Sequence, residues 1–303
     1  MDWMRSQKVD VVFWSPEGRK APGAPVEGEL QGGTLEAVLA EVQPDIVHTH
    51  KIDFAHALPP LPVPLTVRGH ICDFCVPYYE SMERAARIWL FPHLAELLSV
   101  PNVEPLPAIY DTKLFFASEP QEPRYVVRLG VGNGYKDIEG FLVVARLCPE
   151  IPFVLALTGA NPNNYIEHIA ERAPPNMTLH RDLSNADAAE LMKRAWVCLR
   201  SHDVNAHAYG MPVSIAEAMG SGLPIIARAA DPDSPSRFGP EDFAGDAGFY
   251  YQMHEEAAQL VRQIIEWPRE TWNAARLCSL MQAERHRPDK VLPRVLQAWR
   301  ELI

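Results

Sequence analysis

Glu217 is the single acid in YGMPVSIAEAMGSGLPIIAR, residues 209–228, set among small and apolar residues between a Gly-x-Pro turn and a Gly-Leu-Pro turn. A helix that only packs has no use for a carboxylate there. Pro212 suits the first helical position, where a missing N–H costs nothing. Val213 and Ser214 would then turn backbone N–H groups toward an anion, and Ser214 adds a hydroxyl. Glu217, about one turn further along, repels phosphate but accepts well from a pair of sugar hydroxyls. Together these residues describe a site for a phosphate attached to a ribose.

A second constellation is RLGVGNGYKD, Arg128 to Asp137. Three glycines between a strand and a helix let backbone approach a ligand closely, and Arg128 and Lys136 flank them as cations. The spacing G-x-G-x-G is not the dinucleotide fingerprint G-x-G-x-x-G, and the acid expected about 20 residues on is missing. A clamp on a diphosphate fits better; a surface turn with two solvated cations is the plain alternative. His48 and His50 end an apolar strand, where a histidine is commonly a hydrogen-bonded core residue, whereas His70 follows Arg68-Gly69 at a strand's end, a place suited to function. Cys72 and Cys75 form a C-x-x-C without the second pair that a structural zinc site needs or the setting of a redox motif, so they read as ordinary thiols.

The elements that would carry these residues alternate almost from end to end, the pattern of β-α units and parallel sheets. Strands are expected at 9–14, 45–50, 64–70, 86–91 and 103–111, with a helix at 34–42 capped by Thr34. The proline-rich ASEPQEPR, 117–124, reads as a junction. A second series follows, with strands at 124–129, 152–159, 177–181, 196–201 and 224–229. Its helices are expected at 136–147, 164–173 and 186–195, the last with Ser184 or Asn185 as cap. The tail reads as three helices, 254–267, about 269–286, and 291–302, with Trp299 and Leu302 as packing residues. Two Rossmann-like halves fit this better than one sheet.

Bulk properties narrow the ligand. The 303 residues carry a formal charge of -11 at pH 7, which argues against nucleic acid as the main partner. No apolar run approaches the roughly 18 residues that span a bilayer, and MDWMRSQKVD lacks the apolar stretch of a signal peptide. Five scattered cysteines fit a reducing compartment. The expectation is a cytoplasmic protein, at most peripheral to the inner face of a membrane, with no transmembrane segment.

On these residues the sequence resembles the retaining GT-B glycosyltransferases of the family numbered GT4. PDIVHTH and LTVRGHICD are similar to N-domain strands of that family with their histidines, and PLPAIYDTKLF to the stretch entering its second domain. TGANPNN matches a donor-domain loop, Lys136 the phosphate-binding lysine, and YGMPVSIAEAMGSGLPIIA the acid-containing donor motif.

The resemblance implies an α/β fold of GT-B type, two Rossmann-like domains with parallel sheets facing a central cleft. It divides the chain into 1–112, a shortened acceptor-side domain, 113–287, a donor domain, and 288–303, a helix crossing back. It implies transfer of a sugar from a UDP- or GDP-sugar to a glycan, lipid-linked or small-molecule acceptor, without a metal or other cofactor. Glu217 would bind the donor ribose, with Tyr209, Gly210, Pro212, Val213, Ser214, Gly159 and Arg181 completing the donor site. Lys136 and Arg128 would meet the diphosphate, and His70 would lie against the donor sugar. Two departures stand out: Tyr209 replaces a glutamate of the motif, and the first half is short. These leave a non-catalytic sugar-nucleotide or glycan-binding homologue, or a nucleotide-sugar epimerase, as alternatives.

Overall fold

The computed structural model describes residues 7–14, 30–31, 33–50, 55, 58–69, 83–92, 95, 102–119, 122–131, 137–158, 164–201, 213–229 and 244–303. The chain divides into two compact units. One comprises Met1–His70, Phe74–Leu106 and Leu292–Ile303; the other comprises Ile71–Asp73 and Pro107–Val291.

In the first unit β1 (Phe13–Trp14) pairs in parallel with β2 (Leu30–Gln31). Helix α1 (Leu35–Val42) follows, capped as expected by Thr34, whose hydroxyl accepts from Ala37 N at 3.3 Å. Strands β3 (Val47–Thr49), β4 (Leu65–Arg68), β5 (Ala85–Leu90) and β6 (Val103–Pro105) form a four-stranded parallel sheet in that order. The expected strand at 9–14 shrinks to β1 because its partner is only two residues long. The expected strand at 103–111 stops at Pro105, since Pro105 and Pro107 lack the N–H groups that continue a ladder.

The second unit holds β7 (Val126–Val131), α2 (Ile138–Leu147), β8 (Phe153–Thr158), α3 (Tyr165–Glu171) and β9 (Met177–Arg181). These lead into α4 (Asn185–Arg194), β10 (Val197–Arg200), α5 (Val213–Gly220), β11 (Ile225–Arg228) and β12 (Gly248–Tyr251). Helices α6 (His254–Glu266) and α7 (Arg269–Ala283) follow. Its six strands are all parallel, in the order β12-β11-β10-β7-β8-β9. Ser184 caps α4, its hydroxyl accepting from Asp187 N at 3.1 Å. Strand β12 is not among the expected elements: GFYY neither alternates nor forms a long apolar run, so only its ladder with β11 reveals it.

The core of this sheet is largely apolar. Val126, Val127, Phe153, Leu155, Val197, Leu199, Ile225 and Ile226 are all buried. Phe141 of α2 stacks edge-on against Phe153, ring centroids 5.4 Å apart. Trp272 of α7 packs on Trp196 and donates its indole N–H to the Trp196 carbonyl at 2.8 Å, so its polar atom is satisfied despite full burial. Helix α8 (Pro288–Leu302) closes the chain, its residues to Val291 in the second unit and those from Leu292 in the first. In the first unit Trp299 packs against Trp89 and His48. Among the described residues no helix is long and apolar enough to cross a membrane.

Candidate functional site

In the second unit, chain order reverses between β7 and β10. The chain runs outward through β7, β8 and β9, then returns to lay β10 on the other side of β7. At such a switch point the two flanking crossovers leave on opposite faces and open a crevice beyond the carboxyl ends of the strands. Helix α2 follows β7, and among the described residues α5 is the next helix after β10, so the described parts of the two motifs lie at that edge.

Helix α5 buries Ile215, Ala216, Ala218, Met219 and Gly220. The face it leaves out of the core is Val213, Ser214 and Glu217, at spacings of three and four residues. Three residues singled out from the sequence therefore share one stripe. The helix is stopped by a Schellman turn. Leu223 N bonds to Ala218 O at 3.0 Å, Gly222 N bonds to Met219 O at 2.9 Å, and Gly222 takes φ +79°, a conformation that favours glycine. That explains the Gly-Leu-Pro after the helix. Gly220 lets the Tyr110 ring lie against the helix, where a Cβ would overlap it.

The Glu217 carboxyl group makes no hydrogen bond or ion pair among the described residues, and the residue is half-buried. Burial first, and the like charge of Asp111 second, push its pKa up to about 7. Cys198, on the neighbouring strand β10, is fully buried and feels the Glu217 charge, its own pKa pushed up mainly by burial to about 12. A carboxyl group held this way has unused acceptor capacity and can gain by accepting from two hydroxyls.

Arg128, in β7, is completely buried. Its guanidinium donates to the Asp137 carbonyl at 3.2 Å and to the Ser201 hydroxyl, which itself donates to the same carbonyl at 2.5 Å. Burial, then Arg200, holds its pKa below the ordinary arginine value. Asp137 caps α2 with φ 45° and accepts from Gly140 N at 3.0 Å. Arg128 thus braces the N-cap of α2, a structural task that its charge alone did not suggest. Arg181 stands at the end of β9, the edge strand three places from β10, in an ion pair with Glu167 at 2.7 Å. It is not brought to Glu217. His70, Lys136, Gly159, Tyr209, Gly210 and Pro212 lie outside the described residues, as do Cys72 and Cys75.

Two further residues at this edge were missed by sequence reasoning. Arg200 is the last residue of β10 and Ser201 follows it, both buried. The signal was present in WVCLRS, since an arginine ending an apolar strand has to meet something. In the first unit, His48 Nδ1 lies 2.9 Å from the Thr66 hydroxyl, which also accepts from Trp299 Nε1 at 3.2 Å. Burial and the charge of Arg68 hold the pKa of His50 down.

No family model matches the sequence, and no curated protein matches it. Solved structures do. HepE from Anabaena, solved with UDP-glucose, superposes with a TM-score of 0.69 at 12% identity, covering 96% of this chain and 99% of that one. AviGT4, a glycosyltransferase of avilamycin A biosynthesis, gives 0.67 at 15% identity over 99% of this chain and 87% of that one.

The fold is that of the GT-B glycosyltransferases. The pneumococcal O-GlcNAc transferase GtfA, solved with UDP and GlcNAc, has the same GT-B fold at a TM-score of 0.63 and 16% identity, covering 88% of this chain. This chain spans 59% of GtfA's length, less than two thirds of that longer GT-B protein. The parallel six-stranded sheet and its switch point are therefore GT-B features. At these identities the likeness concerns the fold alone.

Proposed function

We propose that this chain is a glycosyltransferase that moves a hexose or related sugar from a nucleotide-sugar donor to a hydroxyl acceptor with retention at the anomeric carbon. The observation that carries the reading is Glu217: a half-buried carboxyl with no partner among the described residues, on the outward stripe of the helix beside the switch point. Support comes from the GT-B fold, whose solved examples include complexes with UDP and UDP-glucose.

In this reading two ribose hydroxyls donate to Glu217, which must be ionised to accept both. The first turn of α5, with Val213 and Ser214, faces the diphosphate through backbone N–H groups. By the family resemblance, Lys136 would meet the same charge, Tyr209 would take a sugar hydroxyl where the family carries a glutamate, and His70 would lie against the sugar. Bond breaking leaves negative charge on the diphosphate, and preorganised N–H donors and cations lower the barrier by stabilising it there, without calling on a bound metal. Arg128 contributes at one remove, by fixing the N-cap residue of α2. The donor is a UDP- or GDP-sugar and the acceptor a glycan, a lipid-linked sugar or a small molecule, reached in the cytoplasm.

The test is turnover. The protein is incubated with UDP- and GDP-sugars and a panel of hydroxyl acceptors; nucleoside diphosphate release is followed, and the anomeric configuration of the product is read by NMR. A product with the donor's configuration supports the reading. Tight donor binding with no release under any acceptor or water would contradict it.

A further inference from the structure

Arg200 ends β10 with 4% of its surface exposed, and its Nε is fully buried without a hydrogen-bond partner. Its side chain makes no ion pair or hydrogen bond with any described residue. Its Nη1 lies 3.7 Å from the place a side chain on Gly130 would occupy, so the guanidinium rests over the carboxyl end of β7 at the switch point. Alternation along β10, in register with Val127 opposite Cys198, puts Arg200 and Cys198 on one face of the sheet, and Ser201 and Arg128 on the other. Cys198 feels the charges of Arg200, Arg128 and Glu217 together.

Two buried arginines on adjacent strands repel each other, and a buried guanidinium without an acceptor is among the costliest groups a fold can hold. Arg128 has its acceptors in the Asp137 carbonyl and Ser201. Asp137, whose charge acts on Arg128, commits one oxygen to Gly140 N. Nothing described answers Arg200. Among the described residues the buried Nε–H of Arg200 is therefore left without an acceptor, and a guanidinium recognises best an oxygen anion with planar, two-pronged acceptor geometry.

We propose that Arg200 is the seat for an oxyanion of the donor, held at the β7–β10 switch point and completed only when that anion arrives. This rests on the nucleotide-sugar reading above and adds to it a residue and a selectivity: the donor must present an oxyanion there. On one donor that oxyanion has two sources, the diphosphate and a carboxylate on the transferred sugar, and they separate by experiment.

Wild type, Arg200→Met and Arg200→Lys are compared by melting temperature and by calorimetric titration with inorganic pyrophosphate, UDP-glucose and UDP-glucuronic acid at constant ionic strength. Without ligand, Arg200→Met melts no lower than wild type, because it removes an unpaired charge beside Arg128. With ligand it loses at least tenfold in affinity, and Arg200→Lys, which keeps the charge but not the fork, falls between. A loss shared by pyrophosphate and both nucleotide sugars assigns the seat to the diphosphate. A loss confined to UDP-glucuronic acid assigns it to the sugar carboxylate. Pyrophosphate binding that depends on Arg200 while neither nucleotide sugar binds would keep the seat and discard the nucleotide-sugar reading. Affinities within twofold of wild type for all three probes, or an Arg200→Met protein that melts well below wild type yet binds unchanged, would show a merely structural arginine and overturn the proposal.

Discussion

Glu217 matters because of what surrounds it: burial and Asp111 raise its pKa to about 7, so near neutrality it is poised between acceptor and donor forms. Two consequences follow with opposite signs. Ionisation costs more in the folded chain than in the unfolded one, so ligand-free stability is greatest below the ordinary glutamate value and declines as pH rises toward about 7; Glu217→Gln flattens that decline in a pH series of melting curves. The proposed nucleotide binding, which uses the carboxylate, should instead strengthen as pH rises, by about tenfold from pH 6 to pH 8. A binding constant indifferent to pH over that range would remove the carboxylate from the site. The acid itself was legible in the sequence because nothing else explained a lone glutamate in an alanine-rich helix. Its altered titration was not, since burial and Asp111, 106 positions away in the chain, are matters of tertiary structure. Arg128 shows the other side of that limit: its charge suggested a ligand, while its burial and its bonds to Asp137 and Ser201 give it a bracing task.

Helices and strands were read from periodicity with most boundaries within a few residues, because α/β units repeat strong apolar runs between amphipathic helices. What failed were elements defined by partners. β12 exists because β11 offers it a ladder, and β1 is short because β2 is. The turn after α5 was the most legible feature of all, with glycine and proline where a Schellman stop needs them. Gly220 carries a less visible constraint, since its Cβ would meet the ring of Tyr110, a residue from well before β7. Gly220→Ala should therefore destabilise the protein by about 1–3 kcal/mol through overpacking, despite alanine's better helix propensity. Chemical denaturation checks this. A variant as stable as wild type would mean that the ring yields freely, and Gly220→Ala combined with Tyr110→Ala should recover part of the loss.

The whole chain divides into two units, each built on a parallel sheet, and α8 supplies residues to both. The two parallel sheets were legible in the repeated alternation, whereas the proline-rich stretch 117–124, read as a junction, lies inside the second unit, which takes up the chain from Pro107; the packing of the last helix was legible only as an amphipathic pattern. In the first unit Trp299 joins Trp89, His48 and the Thr66 hydroxyl. Trp299→Ala should cost about 2–4 kcal/mol, near the lower end of large-to-small aromatic losses because the side chain is only half-buried. Trp299→Phe, which keeps a ring but not the N–H, should cost less, as thermal unfolding would show. The proposed function depends on a nucleotide site in the second unit. Its most direct test is calorimetric titration of the purified protein with UDP, GDP and ADP, beside the same titrations of Glu217→Ala. The prediction is that one diphosphate binds and that the substitution weakens it by about 1–3 kcal/mol, the scale of hydrogen bonds lost to a charged acceptor. Equal affinity in the two proteins, or no binding of any of the three, would contradict the account.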